Sequence, residues 1–198
     1  MSSRLLVVDL CGTIVRVNTT HGFLCQAPLS LPRRMAIRFL LSRIVDFLAS
    51  RCGAVVSVRK KALVATIFGI NRETLSAMAD AYARQVLASR ARREVVEHVE
   101  FTKREGRRVV LASASLDFIV AAFGGLLGVE TAVCTRLRYR TDGSCCGLIQ
   151  TDATGSKLAL LSEYLGQSSF DFDVITDNAE DTDLMQAASN TWNIKNAD

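Results

Sequence analysis

The apolar residues of this chain fall into two alternating patterns. Short continuous runs end abruptly in small or acidic residues, and longer segments repeat their apolar residues every three or four positions. "RLLVVDL", residues 4–10, is a run of the first kind and predicts a strand buried on both faces, broken by a turn at Gly12 and Thr13. "RRVVLASAS" (107–115), "TAVCTRLRY" (131–139) and "FDVIT" (172–176) predict further strands, and "TWNIK" (191–195) a last short one. "TDGS" reads as a hairpin turn with "CCGLIQ" as the returning strand.

The helical pattern fills the gaps. In "RRMAIRFLLSRIVDFLAS" (33–50), Ile37, Leu40, Leu41, Ile44, Val45 and Leu48 share one face, and Pro28 and Pro32 punctuate the entry. Residues 54–69 read as an apolar helix interrupted by Arg59, Lys60 and Lys61. Asn71 is an N-cap signal for a helix striped by Leu75, Met78, Ala79, Tyr82 and Val86. Another helix is expected from about Arg92 to Glu105, stopping at Gly106. "LDFIVAAFGG", with Ser115 as its expected cap, "GSKLALLSEYLG" and "TDLMQAAS" complete the set. Strands and helices alternate on either side of a purely helical block. That order predicts an α/β fold: a three-layer, doubly wound (Rossmann-like) parallel sheet with an inserted α-helical domain. The expected core is 1–14 and 95–198, and the expected insertion is 15–94.

With 198 residues, 49% hydrophobic and 22% charged, the chain is long enough and apolar enough to fold as a globule. Asp9 interrupts the early apolar run, so no leader peptide is expected, and no charge-free stretch reaches membrane-spanning length. Six cysteines with no CxxC pair read as buried thiols of a reducing cytoplasm. Two distant histidines, His21 and His98, do not suggest a zinc site. Charge is unevenly shared. Residues 14–95 hold fourteen Lys and Arg against four acids, and the remainder ten against sixteen. The basic block suits an anionic substrate. Two readings of its surface stand side by side. In one, basic residues interleaved with apolar ones rest peripherally on an anionic membrane, on its inner face. In the other, the block is solvated and Phe39 packs on a neighbouring helix. No nucleic-acid motif accompanies the charge, and no such partner is expected.

In a doubly wound sheet, chemistry gathers at the carboxyl ends of the strands. Asp9 and Ser113 end the first two strands, Asp177 follows "FDVIT" with Asp181 four residues on, and Lys157 opens a helix. Three carboxylates, a hydroxyl and an ammonium suit Mg²⁺ and a phosphoryl group. Taken in order, "VVDLCGTIV", Ser113, Lys157 and "ITDNAEDTD" resemble the four motifs of the haloacid dehalogenase superfamily of phosphohydrolases, closest in layout to its phosphoserine-phosphatase-like branch. The resemblance implies that the helical block is a cap and that Asp9 is a nucleophile forming an aspartyl-phosphate. Ser113 would bind the phosphoryl group and Lys157 would neutralise it. Gly12, Thr13 and Ala114 would line the same subsite. Asp9, the Cys11 backbone carbonyl and Asp177 would ligate Mg²⁺, with Asp181 a further ligand or a support behind them. The substrate would be a small phosphorylated metabolite or a lipid phosphate. Cys11 departs from the pattern, which has an Asp there as general acid and base. A thiol suits neither task. The implied outcome is a slow phosphatase, a phosphatase for a good leaving group, a phosphotransferase, or a catalytically silent binding protein on the same scaffold. His21 is a weak substitute acid on sequence grounds.

Overall fold

The computed structural model describes residues 4–42, 45, 53–129, 131–178 and 181–194, with the backbone alone over 53–57. Six strands form one sheet: β1 (Leu5–Val8), β2 (Val109–Leu116), β3 (Thr131–Tyr139), β4 (Cys145–Thr151), β5 (Phe172–Thr176) and β6 (Asn190–Asn193). Their order is β4-β3-β2-β1-β5-β6, and every neighbouring pair is parallel except β3–β4. The sheet is thus mixed, with its one antiparallel strand at an edge, where a hairpin places it.

Successive strand residues point to opposite faces. On β1, Leu6 and Val8 enter one core while Leu5 and Val7 enter another; on β2, Val109 and Leu111 part from Val110 and Ala112 in the same way. That double burial makes the central strands continuous apolar runs and the fold three-layered. The larger core is filled by α5 (Arg93–Arg104) and α6 (Asp117–Leu127), through Val95, Val99, Phe118, Ile119 and Phe123. The smaller core lies under α7 (Lys157–Leu165) and α8 (Thr182–Ala187), through Leu161 and Leu184.

Between β1 and α5 lie α1 (Thr19–Gln26), α2 (Leu31–Leu40), α3 (Gly53–Ala65) and α4 (Arg72–Arg90). The chain leaves and re-enters the core side by side. Val15 bridges Ala91, the Arg16 N–H donates to Arg90 O at 2.9 Å, and the Arg92 N–H donates to Ile14 O at 2.8 Å. α4 packs along α6, and α3 packs on β4. Backbone bonds stitch the far end of the block to the β3–β4 hairpin: Gly69 N–H to Cys145 O at 2.8 Å, Cys145 N–H to Ile70 O at 2.9 Å, and Arg72 N–H to Gly143 O at 2.9 Å. No described helix is long and apolar enough to cross a membrane.

Several expectations need correction. The helix over 33–50 is shorter. α2 closes at Leu41, and Ile44, Leu48 and Cys52 lie outside the described residues. Helical spacing identifies a face, not an end. α1, capped by the Asn18 side chain accepting from His21 N–H at 3.0 Å, was hidden by its mixed composition. The α3 helix ends at Ala65, short of Gly69. Ser115 does not cap α6. β2 runs on to Leu116, so Ser115 is still a strand residue. Phe39 is not buried against a neighbouring helix among the described residues: it is 63% exposed, alongside Leu31 at 68% and Met35 at 63%. Cys11, Cys25, Cys134, Cys145 and Cys146 are free thiols, but of these only Cys134 and Cys145 are buried and Cys25 is exposed.

Candidate active site

β1 delivers Asp9 to the carboxyl edge of the sheet, and its backbone N–H still donates to Ile175 O of β5 at 2.9 Å. The chain then doubles back. Ile14 N–H donates to Leu10 O at 3.1 Å and Gly12 N–H to Val15 O at 2.7 Å. Gly12 sits at φ +77, and a Cβ there would overlap the Asp177 carboxylate. Glycine is therefore required twice over, for backbone conformation and for the close approach of Asp177. The turn is braced by buried Arg92, whose Nε donates to Gly12 O at 2.8 Å.

Asp9, Lys157 and Asp181 are buried together. Lys157 Nζ reaches Asp9 Oδ1 and Asp181 Oδ2, each at 2.7 Å. Thr176, the last residue of β5, donates its hydroxyl to the same Asp181 oxygen at 2.8 Å. The Thr13 hydroxyl lies 2.9 Å from Asp177 Oδ1 and 3.3 Å from Asp9 Oδ2, and it accepts from Asp177 N–H at 2.9 Å. A hydroxyl has one proton, so the shorter contact to Asp177 takes it. Asp9 and Asp177 are thus drawn to one point, and Asp181 stands behind Lys157.

Around Lys157 the carboxylates outnumber the ammonium. Burial, opposed by Lys157 but reinforced by Asp181 and Asp177, pushes the Asp9 carboxyl up to about 6. Burial works against the Lys157 charge, yet Asp9 and Asp181 outweigh it and hold the ammonium above its ordinary range. An excess of buried negative charge is what a divalent cation relieves. Asp9 and Asp177 are the pair placed to hold one. Among the described residues, no three His, Cys, Asp or Glu gather into a metal cage. Two carboxylates completed by water and phosphate oxygens are the habit of Mg²⁺.

A cavity of about 420 Å³ opens over this floor. Asp9, Cys11, Ser113, Ala114, Lys157 and Asp177 all line it, whereas Gly12 and Thr13, expected in the same subsite, are not among its lining residues: they form the turn after β1, where Thr13 holds Asp177. Asp181 is not among its lining residues, since its described contacts orient Lys157. Ser113 is fully buried and its Oγ accepts from Ser115 N–H at 3.2 Å. The Cys11 sulfur lies 3.1 Å from both the Thr19 and Ser115 hydroxyls, and Thr19 N–H donates to it at 3.4 Å. Burial and the nearby Asp9 push the thiol up, and these hydrogen bonds offset only part of that. Cys11 is therefore a neutral thiol at pH 7. His21 lines the cavity too, together with Asn18 and Thr20 from the start of α1. Arg59, Lys60 and Leu63 of α3 form another part of its wall.

Sequence reasoning missed Thr176, the Thr19–Ser115 pair around Cys11, and the part played by α3. A threonine closing a strand that delivers Asp177 was the visible signal for the first. The Lys157→Met variant tests the charge balance. It leaves two buried carboxylates without their cation and is expected to lose about 3–5 kcal/mol of stability at pH 7.5 in urea titration. The loss should shrink at pH 5: burial holds the Asp9 carboxyl at about 6 even with Lys157 lowering it, so without Lys157 it rises further and is protonated in the native state there.

Comparison with known proteins follows the same lines. No curated protein matches the sequence. Among solved structures, a protein of unknown function from Bordetella pertussis Tohama I superposes with a TM-score of 0.79 at 19% identity, covering 96% of this chain and 89% of that one. A cytosolic 5′-nucleotidase IIIB bound to cytidine gives a TM-score of 0.70 at 18% identity, covering 97% and 72%. A phospho-aspartyl intermediate analogue of phosphoserine phosphatase gives 0.60 at 16% identity, covering 96% and 86%. The family model for haloacid dehalogenase-like hydrolases matches residues 6–186, spanning every element from β1 to α8, and the chain belongs to that family.

Proposed function

We propose that this protein is a Mg²⁺-dependent phosphoryl-transfer hydrolase acting through an aspartyl-phosphate on Asp9. The observation that carries the reading is the placement of Asp9: buried, held by Lys157, and beside Asp177 on the floor of a cavity. Phosphoserine phosphatase and 5′-nucleotidase are named among proteins of the same fold, which supports the class. Magnesium bound by Asp9 and Asp177 would supply positive charge at the phosphoryl oxygens. An Asp9 carboxylate oxygen attacks phosphorus as the bond to the leaving oxygen breaks. Lys157 holds Asp9 in line and balances the oxygens, and the Ser113 hydroxyl donates to one of them. The leaving oxygen then needs a proton, and the aspartyl-phosphate needs a deprotonated water to restore Asp9.

Cys11 occupies the position where both proton transfers would be served. As a neutral thiol it has a proton to donate, so a good leaving group can depart. It cannot accept one from water at neutral pH, so the second half-reaction is the slow one. The cavity suits a small phosphomonoester or the headgroup of a lipid phosphate.

The exposed face of α2 favours a membrane as the place of action. Leu31, Met35 and Phe39 stand four residues apart on one stripe, with exposed Arg34 and Arg38 on the same helix. Asp46 is the only acid between residues 15 and 72. An apolar stripe set in cationic surface fits the interface of an anionic bilayer.

Two measurements check these readings. Phosphate release from a panel of phosphomonoesters should require Mg²⁺, stop in Asp9→Asn, and rise about 10²–10⁴-fold in Cys11→Asp. No release by any of the three proteins would remove phosphomonoester hydrolysis and favour the silent binding module. In vesicle sedimentation, the protein should bind phosphatidylglycerol vesicles but not phosphatidylcholine ones. Leu31→Ser/Met35→Ser/Phe39→Ser should abolish that binding, and equal binding by the triple variant would refute membrane docking.

A further inference from the structure

We infer that Lys60 is a positioning residue that ties the seating of the helical block to the geometry of the phosphoryl pocket. The inference rests on the phosphoryl-transfer reading of that pocket.

Lys60 belongs to α3, inside the inserted block, yet its ammonium is bonded to the core. Nζ lies 2.6 Å from Asp152 Oδ1, 2.8 Å from Thr154 Oγ1, 2.9 Å from Thr135 Oγ1 and 3.2 Å from Ala114 O. These acceptors come from three places: the end of β2, the middle of β3, and the loop between β4 and α7. An ammonium has three N–H donors, so four acceptors saturate it and one bond is shared.

Two of the places it grips carry groups already assigned to the site. Ala114 follows Ser113 directly, and both line the cavity. Thr154 lies three residues before Lys157 in a short loop, and both line the cavity as well. The acceptors are also fixed to one another. The Thr135 hydroxyl donates to Ala114 O at 2.9 Å, Ala153 N–H donates to Thr135 Oγ1 at 3.2 Å, and Thr154 N–H donates to Asp152 Oδ1 at 2.9 Å. Lys60 thus closes a polar node that sets where Ser113 and Lys157 stand relative to Asp9.

The opposite edge of the block is held differently. The backbone bonds between Gly69–Arg72 and Gly143–Cys145 do not depend on any side chain. Loss of the Lys60 contacts would leave those backbone bonds in place. With the contacts broken, the end of β2 bearing Ser113 and the loop leading into Lys157 lose a common anchor. A charged side chain whose described partners all lie on the core does the work of a clasp. Lys60 lines the cavity wall, but its ammonium is taken up by four core acceptors, which sets it apart from a residue reading the substrate.

The test is steady-state turnover of p-nitrophenyl phosphate with Mg²⁺, together with hydrogen exchange of the full chain. Lys60→Met should lower kcat about 10–100-fold with KM nearly unchanged, the cost of displacing catalytic groups by around an ångström. Lys60→Arg, which retains a cation for Asp152 and Ala114 O, should recover part of kcat. Asp152→Asn should be strongly non-additive with Lys60→Met, because both break one node. Exchange should quicken in 111–116 and 151–157 together. A rise in KM with kcat intact would make Lys60 a substrate-binding residue and overturn the proposal, as would additive losses. If the wild type hydrolyses nothing, the phosphatase reading fails by itself. The exchange data still decide the clasp: unaltered protection of both segments in Lys60→Met would overturn it.

Discussion

The structure of the site depends on one buried cation. Lys157 stands between Asp9 and Asp181 with no solvent to share the charge, and each contact is 2.7 Å. Burying such ions is costly unless every one is paired and hydrogen-bonded. Here the pairing recruits the surrounding fold. Asp181 needs Thr176, so the end of β5 must lie beside the start of α8. Asp177 takes the Thr13 hydroxyl proton and approaches Gly12 closely, so the turn after β1 must close tightly. The carboxyl ends of β1 and β5 and the start of α7 are therefore fixed by electrostatics as well as by the sheet.

The same constraint explains the chemistry expected there. Burial raises the Asp9 carboxyl, and the nearby Asp181 and Asp177 add to that against the pull of Lys157, a balance that a divalent cation would relieve. Cys11, on the loop from Asp9, is kept neutral by burial and by that very carboxylate. On the proposed function, such a site would accept a phosphoryl group readily and activate poorly the water that removes it, and the difference would rest on one side chain, Cys11.

Much of this was legible in the chain. "LLVVD" declares a strand buried on both faces because its alternate residues have two cores to fill, and "FDVITD" does the same beside it. Strand-end acids and hydroxyls, an Asn cap before α4, and the hairpin turn follow from local rules that act within a few residues. The rest needed contacts between distant residues. Ser115 looked like a cap because nothing local says that β2 continues; its hydroxyl instead meets Cys11 and Thr19, about a hundred residues earlier. Lys60 looked like part of a basic interruption in an apolar helix, and only the packing of α3 on β4 turns it toward Asp152. The stripe of α2 was legible as a face but not as a length, because spacing carries no stop signal.

The central claim is that Asp9 accepts a phosphoryl group which the chain then releases slowly. Intact-mass spectrometry during turnover of a reactive phosphoryl donor with Mg²⁺, quenched in acid, tests it most directly. The account predicts that the wild type accumulates one phosphoryl group, that Asp9→Asn carries none, and that Cys11→Asp turns over without accumulating it. A wild-type protein that releases phosphate while its mass never changes, or that carries the group after Asp9 is replaced, would contradict the account.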